Sequence, residues 1–192
     1  ESRRWVETAE QARPVLAGAS LVTVVSDREG DMSPLWARVP GETFPALGRV
    51  RLDRKLADGS MVFATTNSLP LQQTRTLTLP ARAPSHGGRA ARVELRFAMV
   101  AIRRSPNEKD RELAKAVPLT VIDVREVDPP AGVEAIHWRL LTTHAVSGAA
   151  EAWQIVGWYQ RRWGVEQLFR ILKTQGLRLE DSIWPRSRDW QS

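Results

Sequence analysis

Leu21-Val22-Thr23-Val24-Val25 is an unbroken apolar and β-branched run that stops at Ser26-Asp27. A strand that is apolar at consecutive positions has no solvated face, so it belongs in a sheet covered on both sides. Upstream, residues 3 to 17 place Trp5, Ala9, Ala12 and Leu16 broadly on one side of a helix; Pro14 weakens its last turn and Gly18 is its stop. Two more core-like runs, Leu119 to Val124 and Ile136 to Thr143, are joined by Asp128-Pro129-Pro130-Ala131-Gly132. The second leads into a long helical pattern, with Ser147 and Glu151 approximating an N-terminal cap one residue off the ideal spacing. Helix, buried strand ending in an acid, further strands and helix together predict an α/β fold, the class that meets its ligands at strand ends.

From Gly41 to Pro118 the texture changes. Pro and Gly are frequent, and Gly48 to Leu52, Thr74 to Leu79 and Arg92 to Phe97 alternate with period two. Arg82 to Ala90, with Pro84-Ser85-His86-Gly87-Gly88, reads as turn chemistry, and Ser105 to Arg111 as a solvated charged loop. The expected division is therefore a core segment at 1–40, a β-rich, mainly antiparallel insertion at 41–118, a second core segment at 119–178 and a short terminal piece at 179–192.

The final helical pattern carries the chemistry. Tyr159, Arg162, Glu166 and Lys173 fall at offsets of 0, 3, 7 and 14. At 3.6 residues per turn they share an arc of roughly 60°. One face thus holds a phenol, a guanidinium, a carboxylate and an ammonium, while Val165, Leu168, Ile171 and Leu172 form an apolar opposite side expected to be buried. Trp153, Trp158 and Trp163 read as packing residues of this helix. Such a face suits a site that handles phosphate with a metal.

This spacing, with Trp163 and a Lys-Thr-Gln-Gly ending, resembles the YREK signature of DDE transposases of insertion-sequence family four, the Tn-five-like group. Ser26-Asp27-Arg28-Glu29-Gly30-Asp31, just after the buried strand, resembles the family's second acidic motif. The resemblance implies an RNase H-like core, partial and lacking its N-terminal strands, with the β-rich insertion between the second Asp and the catalytic Glu. It makes Asp27 and Glu166 catalytic metal ligands and gives Tyr159, Arg162 and Lys173 to the DNA backbone. It further implies two magnesium or manganese ions in the intact enzyme and cut-and-paste strand cleavage and transfer at transposon ends. Double-stranded DNA is the expected partner, bound by a homodimer. Magnesium fits because it takes few protein carboxylates and keeps positions for water and phosphate oxygens.

Trp138, 28 residues before Glu166, is either a stacking residue for a base flipped out of the DNA or a core residue of its strand. Asp31 reads as an N-cap for a short helix through Ser33-Pro34-Leu35-Trp36. Arg28 and Glu29 pair either with each other or with DNA.

Residues 1 to 26 contain Glu1, Glu7 and Glu10 but no Asp, and both ends of the chain look cut. The chain is therefore expected to carry two of the three acids of a DDE triad, and to be a transposase fragment that does not cleave DNA alone. The alternatives are a non-catalytic DNA-binding remnant and a related RNase H-like, metal-dependent nuclease.

Composition supports a polyanionic partner: 28 Lys and Arg against 22 Asp and Glu give a net charge of +6. The absence of Cys rules out disulfides and thiolate metal sites, and His86, His137 and His144 are scattered. No apolar run approaches the roughly 18 to 20 residues of a membrane span, and a cytoplasmic, nucleoid-associated bacterial protein is expected.

Overall fold

The computed structural model describes residues 2–79 and 88–171. Helix α1 (Ser2–Val15) precedes strand β1 (Val24–Ser26), a 3-10 turn (Arg28–Gly30) and helix α2 (Ser33–Arg38). Strand β2 (Ala46–Arg49), helix α3 (Val62–Ser68) and strands β3 (Gln73–Leu79), β4 (Arg89–Arg103), β5 (Ala116–Glu126) and β6 (His137–Thr142) follow, and helix α4 (Ala149–Ile171) closes the order.

All six strands form one sheet, in the order β1-β2-β6-β5-β4-β3. β1 and β2 are parallel, and the other four pairings are antiparallel. The stretch from 41 to 118 supplies β2, α3, β3, β4 and the first residues of β5; β2 lies between β1 and β6, and β3 and β4 extend the same sheet beyond β5. Here the period-two runs at 74–79 and 92–97 become strands, whereas of the run at 48–52 only Gly48 and Arg49 lie in β2; Ala91, Val93 and Leu95 of β4 are buried while Ala90, Arg92 and Glu94 are not. The turn expected between Arg82 and Ala90 lies largely outside the described residues.

Helices cover both faces. On one, α4 buries Ala152, Trp153, Ile155, Val156 and Tyr159 against Leu47, Val93, Leu95, Ile122, Trp138 and Leu140. On the other, Trp36 of α2 and Val62 of α3 join Ala46, Val100, Leu119, Val121 and Leu141. α1 and α2 make a third cluster from Val6, Ala9, Leu35, Val39 and Phe44. The run at 21–25 splits between the layers, Val22 and Val24 packing on the α1–α2 cluster and Val25 on the α4 side. The buried strand expected here is only half covered: Leu21 is 45% exposed, and the two valines in β1 stay half-buried because β1 is at the sheet's edge.

Three local readings change. Met32, not Asp31, occupies the N-cap of α2. Asp31 is buried and accepts from Trp36 Nε1 at 3.2 Å and the Arg51 amide at 2.9 Å, with Arg54 Nε 2.7 Å away, so the carboxylate is an internal tie and not a cap. Helix α3 was not foreseen, since Val62-Phe63-Ala64-Thr65-Thr66-Asn67-Ser68 is rich in β-branched residues of low helix propensity; tertiary packing of Val62 and the Asp53 carboxylate, which accepts from the Phe63 amide at 2.8 Å, hold it.

The third concerns α4. Val165 is 50% exposed while Tyr159 is 2% exposed, the reverse of the expected burial. Ala152, Ile155, Val156 and Tyr159 follow the i, i+3, i+4, i+7 rule, so the aromatic ring ends the apolar stripe. The face that carries Tyr159 and Arg162 therefore looks toward the sheet. Among the described residues no helix is long and apolar enough to cross a membrane.

Candidate nucleic-acid interface

Because β6 runs antiparallel to β2 and to β5, the ends of β1, β2 and β5 and the start of β6 meet at one end of the sheet. A cleft of about 460 Å³ opens there, lined by Arg28, Arg49, Arg51, His137, Trp138 and Arg139, with Phe63 and Glu134 among its other walls.

Asp27 stands at the end of β1 and caps the 3-10 turn, its Oδ1 accepting from the Glu29 amide at 2.9 Å. That turn folds tightly onto the strand it leaves. A Cβ on Gly30 would sit 2.3 Å from Ser26 Cβ, and one on Gly48 would sit 2.6 Å from Ser26 Oγ, so both positions need glycine for close approach. This packing delivers Asp27 at the strand end and turns the exposed Arg28 into the cleft.

On the α4 side, Arg49 lies close enough to the Tyr159 hydroxyl, Arg28 and Arg162 for each to act on its charge. Its Nη2 donates to the His137 carbonyl at 2.9 Å. Burial pulls the Arg49 guanidinium below the ordinary arginine range; the Tyr159 oxygen opposes this, and the charges of Arg28 and Arg162 add to it. Arg162 lies over the Tyr159 ring, 5.9 Å from its centroid. Arg28 and Arg49 thus share the cleft, with Arg162 over the Tyr159 ring, an arrangement whose positive charge favours an anion.

On the α3 side, Asp123 is fully buried and holds three bases. Arg125 Nε stands 2.5 Å from Oδ2, His137 Nε2 2.7 Å from Oδ1 and Arg139 Nε 3.4 Å from Oδ1. Arg139 also donates to Thr66 Oγ1 at 2.9 Å and Asn67 Oδ1 at 3.1 Å, and stacks 4.2 Å over the Phe63 ring. Burial lowers its affinity for the proton and Asp123 restores part of it, leaving a guanidinium fixed at the cleft wall.

The residues singled out from sequence are distributed as follows. Arg28, neighbour of Asp27, shares the cleft with Arg49, and Arg162 lies over the Tyr159 ring. Trp138 is 2% exposed and meets Tyr159 edge-on, ring centroids 5.9 Å apart, although it borders the cleft. Trp153 and Trp158 pack as expected, Trp158 also lying 4.8 Å from the His144 ring. Glu166 falls on α4, but its side chain and that of Trp163 are outside the described set, as is Lys173 altogether. Arg49, Asp123, His137 and Arg139 were missed. The signal was available: in Gly48-Arg49-Val50-Arg51 and Ile136-His137-Trp138-Arg139 charged residues alternate with apolar ones, which marks strands with one wet face.

Among the described residues no three His, Asp or Glu side chains cluster to hold a metal. Asp27 at this sheet end is a half-buried carboxylate with one oxygen engaged by an amide, and its hard oxygens suit magnesium or manganese.

A strand-end acid beside a basic cleft on a mixed α/β sheet agrees with the match to a family model, the transposase DDE domain, over residues 1–189. Since the match spans nearly the whole chain, the protein belongs to the transposase DDE domain family.

Proposed function

We propose that this chain is the catalytic domain of a cut-and-paste DNA transposase of insertion-sequence family four, with an RNase H-like core interrupted by the β-rich 41–118 stretch. The observation that carries the reading is the cleft lined by Arg28, Arg49, Arg51 and Arg139 at the sheet end where the Asp27 turn stands, with Arg162 over the nearby Tyr159 ring. Guanidiniums that repel one another in a partly desolvated cleft are stabilised by a phosphate, which each can grip as a fork.

In this reading a phosphodiester at the transposon end enters the cleft. Arg28, Arg49 and Arg162 neutralise its charge, and Lys173 adds a point charge from farther along the same helix. Tyr159 acts chiefly by orienting Arg49 through its hydroxyl. Asp27 and Glu166 are the proposed ligands of magnesium or manganese, which when bound supplies a nucleophilic water or 3′-hydroxyl and stabilises the leaving oxygen. Trp138 props Tyr159 from the core; stacking on a flipped base would require its ring to be uncovered. A homodimer holding two transposon ends is the assembly this function implies.

The test is binding of duplex DNA across a salt series. The chain is expected to bind with affinity falling steeply as salt rises, and Arg49→Ala and Arg162→Ala should each reduce the slope of log affinity against log salt by about 1. Salt-independent binding, or slopes unchanged in both variants, would sink the reading. Where strand cleavage is measured in a full transposase bearing this domain, Glu166→Gln is expected to abolish it and leave binding largely intact.

A further inference from the structure

We propose that a second basic groove, on segments outside both acidic motifs, carries the backbone of the same DNA onward from the cleft; this rests on the DNA-handling reading above. The groove measures about 990 Å³ and is lined by Arg54, Lys55, Arg103, Arg104, Arg111 and Lys115. None of them belongs to the signature helix or to the Asp27 turn.

The backbone forces these cations together. The Arg103 amide donates to the Lys55 carbonyl at 2.9 Å, and the Arg104 amide donates to the Lys115 carbonyl at 2.9 Å, so two pairs of like charges stand side by side on paired segments. Directly opposed like charges destabilise a sheet unless something neutralises them. Among the described residues no ion pair involves Lys55, Arg103, Arg111 or Lys115. The groove's carboxylate, Asp53, has Oδ1 committed to the Phe63 amide. Arg54 is tied to Asp31, and Arg104 donates to the Arg111 carbonyl at 2.8 Å and to the Leu113 carbonyl, which fixes the loop bearing Arg111. The array is therefore preorganised for an external polyanion. Leu52, 64% exposed, and Met61, 36% exposed, offer an apolar floor to the sugars.

Cleft and groove are joined by one short stretch of chain. Arg49 and Arg51 line the cleft, Arg54 and Lys55 the groove. Even fully extended, Arg49 to Lys55 spans at most about 20 Å. Each strand of a duplex carries a phosphate roughly every 3.4 Å along its axis, so about six base pairs cover that distance. One duplex can touch both sites, and the groove would add contacts that affect affinity without contacting the reacting phosphate.

The experiment compares the unsubstituted chain, the triple variant Lys55→Ala/Arg103→Ala/Lys115→Ala and Arg49→Ala, each titrated with a 20-base-pair duplex over a salt series. All three replaced groove side chains are exposed, and retention of the thermal transition checks the fold; the milder pair Lys55→Gln/Lys115→Gln replaces the triple variant if that transition is lost. The triple variant is expected to lower the salt slope by roughly 2 to 3, and the pair by about 2. A slope unchanged by the groove variants but reduced by Arg49→Ala overturns this proposal and leaves the cleft reading standing. No DNA binding by the unsubstituted chain overturns both.

Discussion

Replacing Asp123 by Asn removes the charge that organises one wall of the cleft. The carboxylate is fully buried, while its partners keep some solvent contact: the side chains of Arg125, His137 and Arg139 are 28%, 35% and 18% exposed. Breaking a fully buried pair costs about 3 to 5 kcal/mol. Here water reaches the cations, and Arg125 and Arg139 keep Thr66 and Asn67 as partners, which brings the expected cost down to about 2 kcal/mol. The Asn amide also presents a donor where two donors already point. With a urea dependence of about 2 kcal/mol per molar, the unfolding midpoint should fall by about 1 M. DNA affinity, measured well below that midpoint, should weaken as well, because Arg139 loses the charge that aims it. A midpoint within about 0.2 M of the unsubstituted chain, or under 0.5 kcal/mol, would refute the claim that Asp123 holds the wall together.

Gly48→Ala should destabilise by about 1 to 3 kcal/mol, since the new methyl meets Ser26 Oγ at 2.6 Å and the Trp36 ring at 3.1 Å. Adding Ser26→Ala, which also removes a buried hydroxyl without a hydrogen-bond partner among the described residues, should recover part of the loss; an unchanged melting temperature for the single variant would contradict this packing. Burial holds the His144 imidazole below its usual range. Its folded form resists protonation while the unfolded chain takes up a proton near its ordinary value of 6.5, so stability should decline as pH falls through that value and be unaffected above it. His144→Gln, which can keep a hydrogen bond to Thr23 Oγ1, should flatten the decline between pH 7.5 and 5.5; identical pH dependence in both proteins would rule the residue out as its source.

The elements most legible in the sequence were those whose pattern is local. The alternation around Val93 and Leu95 states its own burial, and the apolar run at 21–25 shows that its strand sends apolar side chains to both faces, although none of the five is fully buried. What escaped was decided by partners far along the chain. Asp31 resembled a helix cap because capping chemistry lies beside it, yet Arg51 and Arg54, some twenty residues on, claimed its carboxylate. Tyr159 looked like the start of a polar face because a phenol counts as polar, but its ring is large enough to end an apolar stripe while only its hydroxyl needs a partner. The cleft drew on Arg49 of β2 together with Asp123 and Arg139 of β5 and β6, and only the sheet order brings β2 beside β6.

That sheet order has a kinetic consequence. Ala46 is joined to Thr143, 97 positions away, whereas β3, β4 and β5 meet in sequence as a meander. Pairings of long sequence separation form late, because a large loop must close before any contact rewards it. During synthesis the meander can fold while β2 waits on one side for a strand not yet made. The basic cleft, whose walls come from both sides of that junction, then exists only once β6 has emerged, so a growing chain carries its arginines apart and has no finished phosphate site with which to grip nucleic acid.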